Sequence, residues 1–256
     1  MTLYDTHTHL YLEEFATDRR EVIERAVNNG VEKLLLPNID NTSIEGILKM
    51  EKDFPGICFP MIGLHPCSVK QDYEGQLKEI EAWLAKHKYY AIGEIGIDLY
   101  WDKAFEKEQK IAFRQQIQLA KANKLPIVIH LRNAFDETFE IVEEMNDQDL
   151  KGIFHCFSGT KDQAEKITGL GGFKLGIGGV VTFKNSGLDK VLKEINLEHL
   201  VLETDSPYLA PAPHRGKRNE SSFLILIANK LAEIYAVPLE KIESITSANA
   251  KAIFGI

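Results

Sequence analysis

Ile127-Val128-Ile129-His130-Leu131-Arg132 and Gly152-Ile153-Phe154-His155-Cys156-Phe157-Ser158-Gly159 are two short apolar runs, each ending in an imidazole, with an amphipathic segment between them. Either histidine alone would read as a core side chain bonded to a backbone carbonyl. The same placement at the ends of successive runs points instead to a shared site. Outward from this pair, apolar runs alternate with helical patterning along the whole chain, which is βαβ rhythm. Strands are expected at residues 3–7, 33–37, 58–63, 91–94, 126–130, 152–155, 173–177 and 200–204. Several are almost continuously apolar, as parallel strands covered by helices are. Eight of them predict a TIM-type (β/α)8 barrel with its site at the C-terminal ends of the strands.

Between the strands lie helices with readable ends. One is expected over residues 18–29, with Glu21 three residues after Asp18 and Gly30 as its stop; another starts at Thr160. Phe113, Ile117 and Ala120, and later Ile227, Leu231 and Ile234, keep the spacing that turns apolar side chains to one inward face. The rhythm has no linker, repeat or low-complexity tract, so one domain is expected over residues 1–256.

Bulk properties agree with one globular unit. Across 256 residues, 44% are hydrophobic and 27% charged, which argues against disorder. No apolar stretch reaches the roughly 18 residues of a membrane span, and residues 1–5 lack the pattern of a secretory signal. A cytoplasmic chain, monomeric by default and without a membrane partner, is expected. Cys58, Cys67 and Cys156 are few, odd in number and scattered, so reduced thiols are expected. A net charge of −8 works against broad electrostatic attraction to nucleic acid, although bound divalent cations would add local positive charge.

Six residues at strand ends form the candidate metal set: His7, His9, Glu94, His130, His155 and Asp205. His7 and His9 lie two apart, so both project from the same side of their strand. Glu94, flanked by Gly93 and Ile95, is a carboxylate among apolar neighbours that needs a cation. Asp98 nearby reads as a supporting or loop-capping group, as does Glu203, which sits deeper than Asp205. Four imidazoles and two carboxylates are too many for one tetrahedral ion and suit two divalent ions, Mg²⁺, Mn²⁺ or Zn²⁺, with Glu94 as the bridge. His7, His9 and Asp205 would hold one ion, and His130 and His155 the other.

In Asp5-Thr6-His7-Thr8-His9-Leu10, Gly63-Leu64-His65-Pro66, Gly93-Glu94-Ile95-Gly96-Ile97-Asp98, His155-Cys156-Phe157-Ser158-Gly159 and Glu203-Thr204-Asp205-Ser206-Pro207-Tyr208-Leu209, the chain resembles the TatD family of metal-dependent deoxyribonucleases. The likeness covers essentially the whole chain. It implies a two-metal barrel that hydrolyses phosphodiester bonds of DNA. The expected activity is a 3'-5' exonuclease that favours single-stranded or frayed ends.

On that reading Asp205, Glu94 and His65 are the catalytic candidates: a two-metal-activated water attacks phosphorus and Asp205 takes its proton. Arg132 and Arg215 are the candidate substrate-binding residues. The cluster His214, Arg215, Lys217 and Arg218 is expected to meet phosphate, and Tyr100, Trp101 and Tyr208 are placed either to stack on bases or to pack under loops. The chain departs from the family pattern twice, with Cys67 where a second His is common and Ser221 where Pro is usual; the latter is expected to act on the helix start. The alternative is a two-metal amidohydrolase or esterase acting on a small amide, a lactone or an aminoacyl-tRNA ester.

Overall fold

Eight parallel strands and nine α-helices alternate in a computed structural model that describes residues 2–256. The strands are β1 (Leu3–Asp5), β2 (Val31–Leu36), β3 (Cys58–Pro60), β4 (Ile92–Asp98), β5 (Ile127–Arg132), β6 (Gly152–Phe154), β7 (Phe173–Ile177) and β8 (Leu200–Leu202). The helices are α1 (Arg19–Asn28), α2 (Ile44–Asp53), α3 (Tyr73–Leu84), α4 (Glu106–Asn123), α5 (Phe135–Met145), α6 (Lys161–Gly169), α7 (Leu188–Leu192), α8 (Leu224–Tyr235) and α9 (Leu239–Phe254). All the expected strands are present. Their ends shift by a few residues. Among the described residues no single helix is long and apolar enough to cross a membrane.

Two ladders, β1-β2-β3 and β4 through β8 in order, make the ring. They are joined at one seam by the bridge between Ile62 and Ile92 and at the other by that between Thr8 and Ser206. Backbone bonds complete the seams: Gly93 N–H donates to Ile62 O at 2.8 Å, and Thr6 N–H to Leu202 O at 3.0 Å.

Alternation along each strand sorts the core into two layers. Outward side chains such as Leu34, Ile129 and Leu175 pack under the helices with Phe113, Ile117, Ile227 and Leu231. Inward side chains Tyr4, Leu35, Phe59, Val128, Ile153 and Val201 fill the lower barrel, where the end of α9 (Ala250, Ile253, Phe254) plugs it. The next inward positions on β5, β6 and β8, two residues on and about 6.6 Å higher, belong to His130, His155 and Glu203.

The helix ends confirm one expectation and revise another. Thr160 caps α6 in a reciprocal capping box with Gln163. Asp18 precedes α1 but makes no capping bond, because its carboxylate is held by Arg218, whose two terminal nitrogens lie 2.8 and 2.6 Å from its oxygens.

Candidate metal centre

The seam between β1 and β8 positions the first candidate ligands. Asp5, fully buried, accepts bonds from Thr204 N–H at 2.9 Å and Thr204 Oγ1 at 2.6 Å. Burial outweighs those bonds and pushes the Asp5 carboxyl up to about 7. The contact pins the end of β1 to the end of β8, and Asp205 N–H donates to His7 O at 2.9 Å. Asp205 adopts a left-handed φ of 56°, a conformation Asp tolerates, and its carboxylate reaches His9 Nε2 at 3.5 Å and His7 Nε2 at 3.8 Å.

Glu94 stands at the middle. The β4–β5 register shifts between Gly93 and Ile95, which leaves Glu94 out of the ladder, and its N–H donates instead to Asn38 O at 3.1 Å. Gly96 makes the close pairing possible: a Cβ there would lie 1.9 Å from His130 O. One carboxylate oxygen of Glu94, Oε2, faces His7 Nε2 at 3.2 Å and His9 Nε2 at 3.8 Å. The other, Oε1, faces His130 Nδ1 at 2.8 Å, His65 Nε2 at 3.5 Å and His155 Nε2 at 3.7 Å. Burial opposes its ionisation, yet His65, His7, His155 and His130 together hold its carboxyl well below the usual carboxylate range.

The outer nitrogens of three imidazoles decide what the inner ones offer. Tyr11 Oη donates to Pro37 O at 2.8 Å, so its contact with His9 Nδ1 at 2.8 Å requires His9 to donate and leaves a lone pair on Nε2. Asp98 Oδ2 lies 2.9 Å from His130 Nε2, and Glu203 Oε1 lies 3.0 Å from His155 Nδ1. The Asp98 contact is a hydrogen bond of the kind that fixes the ring tautomer and turns the other nitrogen toward a cation, whereas the Glu203 contact is an ion pair. The fully buried Glu203 fits because β7 offers Gly176, where a Cβ would meet its Oε2 at 2.1 Å. Burial alone would lower the pKa of His155, but Glu203, Glu94 and Asp205 push it up to about 10, a measure of how strongly this field draws positive charge. Burial and His155, whose ring stacks on it at 3.6 Å, lower the pKa of His7.

A divalent cation fits this donor set. Lone-pair atoms of His7, His9, Glu94 and Asp205 face one another at 3.2 to 3.8 Å without protons enough to bond them all. Tetrahedral ligands at about 2.1 Å from an ion would stand about 3.4 Å apart. Glu94, His130 and His155 gather a second group around Oε1. His65 is within reach of that group, yet its Nδ1 accepts Cys67 N–H at 3.0 Å, so its Nε2 carries the proton and is a donor.

The rim is arranged less uniformly. Asp98 Oδ1 accepts the N–H groups of Tyr100 at 2.9 Å and Trp101 at 3.3 Å, so Asp98 both orients His130 and caps the following loop. Arg132 lies over the Tyr100 ring at 3.7 Å, and Arg215 over Phe183 at 4.4 Å. Arg218 departs from its expected phosphate role: it is bound to Asp18 and Glu14 O and lies over Phe15. His214 stacks on Phe223 with ring centroids 4.1 Å apart. Ser221 does more than start a helix, since its hydroxyl donates to Thr8 Oγ1 at 3.2 Å under the β1 seam. Tyr11, Asn38 and Asp5 were not singled out from sequence. For Asp5 the signal was its place at the head of the His7–His9 motif; Tyr11 and Asn38 act through folded contacts alone.

The sequence matches the family described as TatD related DNase over residues 4–255. It is 42% identical to the metal-dependent hydrolase YabD of Bacillus subtilis, across 99% of both chains. To a protein of Pantoea vagans called 3'-5' ssDNA/RNA exonuclease TatD it is 29% identical, across 98% of this chain and 99% of that one. The fold superposes on the crystal structure of YJJV, a TatD homolog from Escherichia coli, with a TM-score of 0.93 and 27% identity, over 99% of this chain and 98% of that one.

Proposed function

This chain belongs to the TatD-related DNase family, a family of metal-dependent hydrolases, and from that premise we propose that it cleaves phosphodiester bonds of DNA as a 3'-5' exonuclease on single-stranded or frayed ends. The observation that carries the reading is Glu94, whose two oxygens face two separate groups of imidazoles, as a carboxylate bridging two divalent ions requires. His7, His9, Glu94 and Asp205 would hold one ion, and Glu94, His130 and His155 the other. Bound ions would supply Lewis-acid chemistry, lowering the pKa of water and offsetting charge on the phosphoryl oxygens.

The residues of the chain do the rest. A water adds to phosphorus as the bond to the leaving sugar oxygen breaks opposite it. Asp205, held as a carboxylate by His155, His9 and His7 against the effect of burial, accepts the proton that water gives up. His65 offers its Nε2–H to a phosphoryl oxygen, where developing negative charge strengthens the bond. Arg132 and Arg215 bind neighbouring phosphates, each with its guanidinium over an aromatic ring.

The test is cleavage of an end-labelled single-stranded oligonucleotide by chelator-stripped protein, with and without Mg²⁺, Mn²⁺ or Zn²⁺, beside Glu94→Ala. The expected result is cutting that metal restores and the variant lacks, with a ladder shortening from the 3' end. Bound ions without cutting would move the reading to an amide, lactone or aminoacyl ester, to be assayed on those substrates.

A further inference from the structure

Tyr100, Trp101, Tyr208 and Leu209 are 51%, 70%, 47% and 42% exposed, and they are four of the six large hydrophobic side chains that reach this exposure among the described residues. All four sit on the mouth, and none is scattered over the outer wall as an idle exposed residue would be. They form two groups, one following β4 and the other β8. In a ring ordered β1 through β8 these strands are diametrically opposed, so the groups face each other across the metal-ligand cluster.

Both groups are fastened to ligands. Tyr100 and Trp101 N–H donate to Asp98, whose other oxygen meets His130 at 2.9 Å. Tyr208 N–H donates to Asp205 O at 2.8 Å, its carbonyl accepts Asn219 Nδ2 at 2.7 Å, and its ring lies 6.1 Å from that of His9. Leu209 is held at a φ of 51°, a left-handed conformation that leucine adopts at a cost of about 1 kcal/mol or more. Exposed apolar side chains held this firmly are placed for an apolar surface that arrives with the substrate. Beside one group Arg132 lies over Tyr100, and among the described residues it has no carboxylate partner.

Resting on the DNA reading, we infer that the mouth is a two-sided base clamp. Trp101 with Tyr100 stacks the base on one side of the scissile phosphate, Tyr208 with Leu209 the base on the other, and Arg132 binds the phosphate next to the Trp101 side. A duplex presents no free base faces to either group, so the clamp selects an unpaired strand with a nucleotide on both sides of the cut.

The test compares kcat/KM on a single-stranded oligonucleotide with that on methyl p-nitrophenyl phosphate, a diester without bases, for wild type, Trp101→Ala, Trp101→Phe and Tyr208→Ala with metal supplied. Each alanine variant should lose about tenfold more on the oligonucleotide than on the diester, mainly through KM, and Trp101→Phe should recover most of the loss. The two losses should add in the double variant, because the groups lie apart. A phosphorothioate oligonucleotide should quench the emission of the wild type and not that of Trp101→Phe. Equal losses on both substrates, or none on either, would overturn the clamp while leaving the nuclease reading in place. A wild type that hydrolyses the diester and is inert on every oligonucleotide would overturn both.

Discussion

The two ends of the barrel interior are one side-chain layer apart and chemically opposite. The floor joins Tyr4, Phe59, Val128, Ile153 and Val201 to Ala250, Ile253 and Phe254 of α9 with no charge among them. The mouth gathers His7, His9, Glu94, His155 and Glu203, all nearly or wholly buried, whose mutual repulsions and unmet lone pairs a metal-free fold must tolerate. The strands therefore carry stability low and chemistry high, and the two ends should respond to mutation independently.

The largest effect expected is on the mouth. Glu94→Ala removes an oxygen from each ligand group and should lower metal-dependent hydrolysis by about 10³-fold or more, the worth of several kcal/mol of charge stabilisation. It should also abolish the metal-induced rise in unfolding midpoint, which for wild type at a hundredfold excess over Kd corresponds to about 2.7 kcal/mol. Scanning calorimetry with and without ion reads the second effect. A variant still stabilised by metal would break the assignment of Glu94 as bridge.

On the floor, Phe254→Ala should cost about 3 kcal/mol in denaturant unfolding, the usual price of a cavity, while kcat stays within about twofold of wild type. A large loss of kcat in a folded Phe254→Ala protein would show that the two ends are coupled after all.

Acid should weaken the mouth first. Burial raises the Asp98 carboxyl, but the His130 bond and the N–H groups of Tyr100 and Trp101 outweigh it and bring it from 3.8 down to about 2. A depressed carboxyl contributes stability that is complete above pH 4 and is lost as pH falls toward 2, here about 2 kcal/mol. Chelator-treated Asp98→Asn should lack that part of the acid dependence, and an unchanged profile would break the assignment.

The smallest effect sharpens the picture of the mouth. Tyr11→Phe removes the acceptor that fixes the His9 tautomer and should weaken binding of one ion about tenfold, with little change in metal-free stability. Isothermal titration of stripped protein would resolve it, and equal affinities would relegate Tyr11 to packing.

Much of this was legible in the order of residues, for reasons particular to each. His130 and His155 stood out because imidazoles end two successive apolar runs at equivalent places, and Glu94 because its apolar neighbours leave a carboxylate in need of a cation. The capping box at Thr160 is a local bond between residues three apart, so it was readable too. Asp18 stands at the N-cap of α1 as expected but makes no capping bond, because Arg218, which takes its carboxylate, lies two hundred residues away in the chain.

What the sequence determined by itself was therefore periodic or local: the eight-fold βα alternation, the inward stripes of helices such as those carrying Phe113 and Ile227, and a set of donors at strand ends. Tertiary structure alone decided how those donors are divided and which proton sits where. Glu94 stands out of the ladder where the β4–β5 register slips, and its two oxygens face different imidazoles. His65 is a donor because the backbone N–H of Cys67 claims its other nitrogen, and Arg218 leaves the substrate face because Asp18 holds it. The physical reason is common to all of these. Strand and helix periodicity is set by near neighbours along the chain, whereas tautomer, charge partner and ligand grouping are set by whichever polar atom lies within about 3 Å in space.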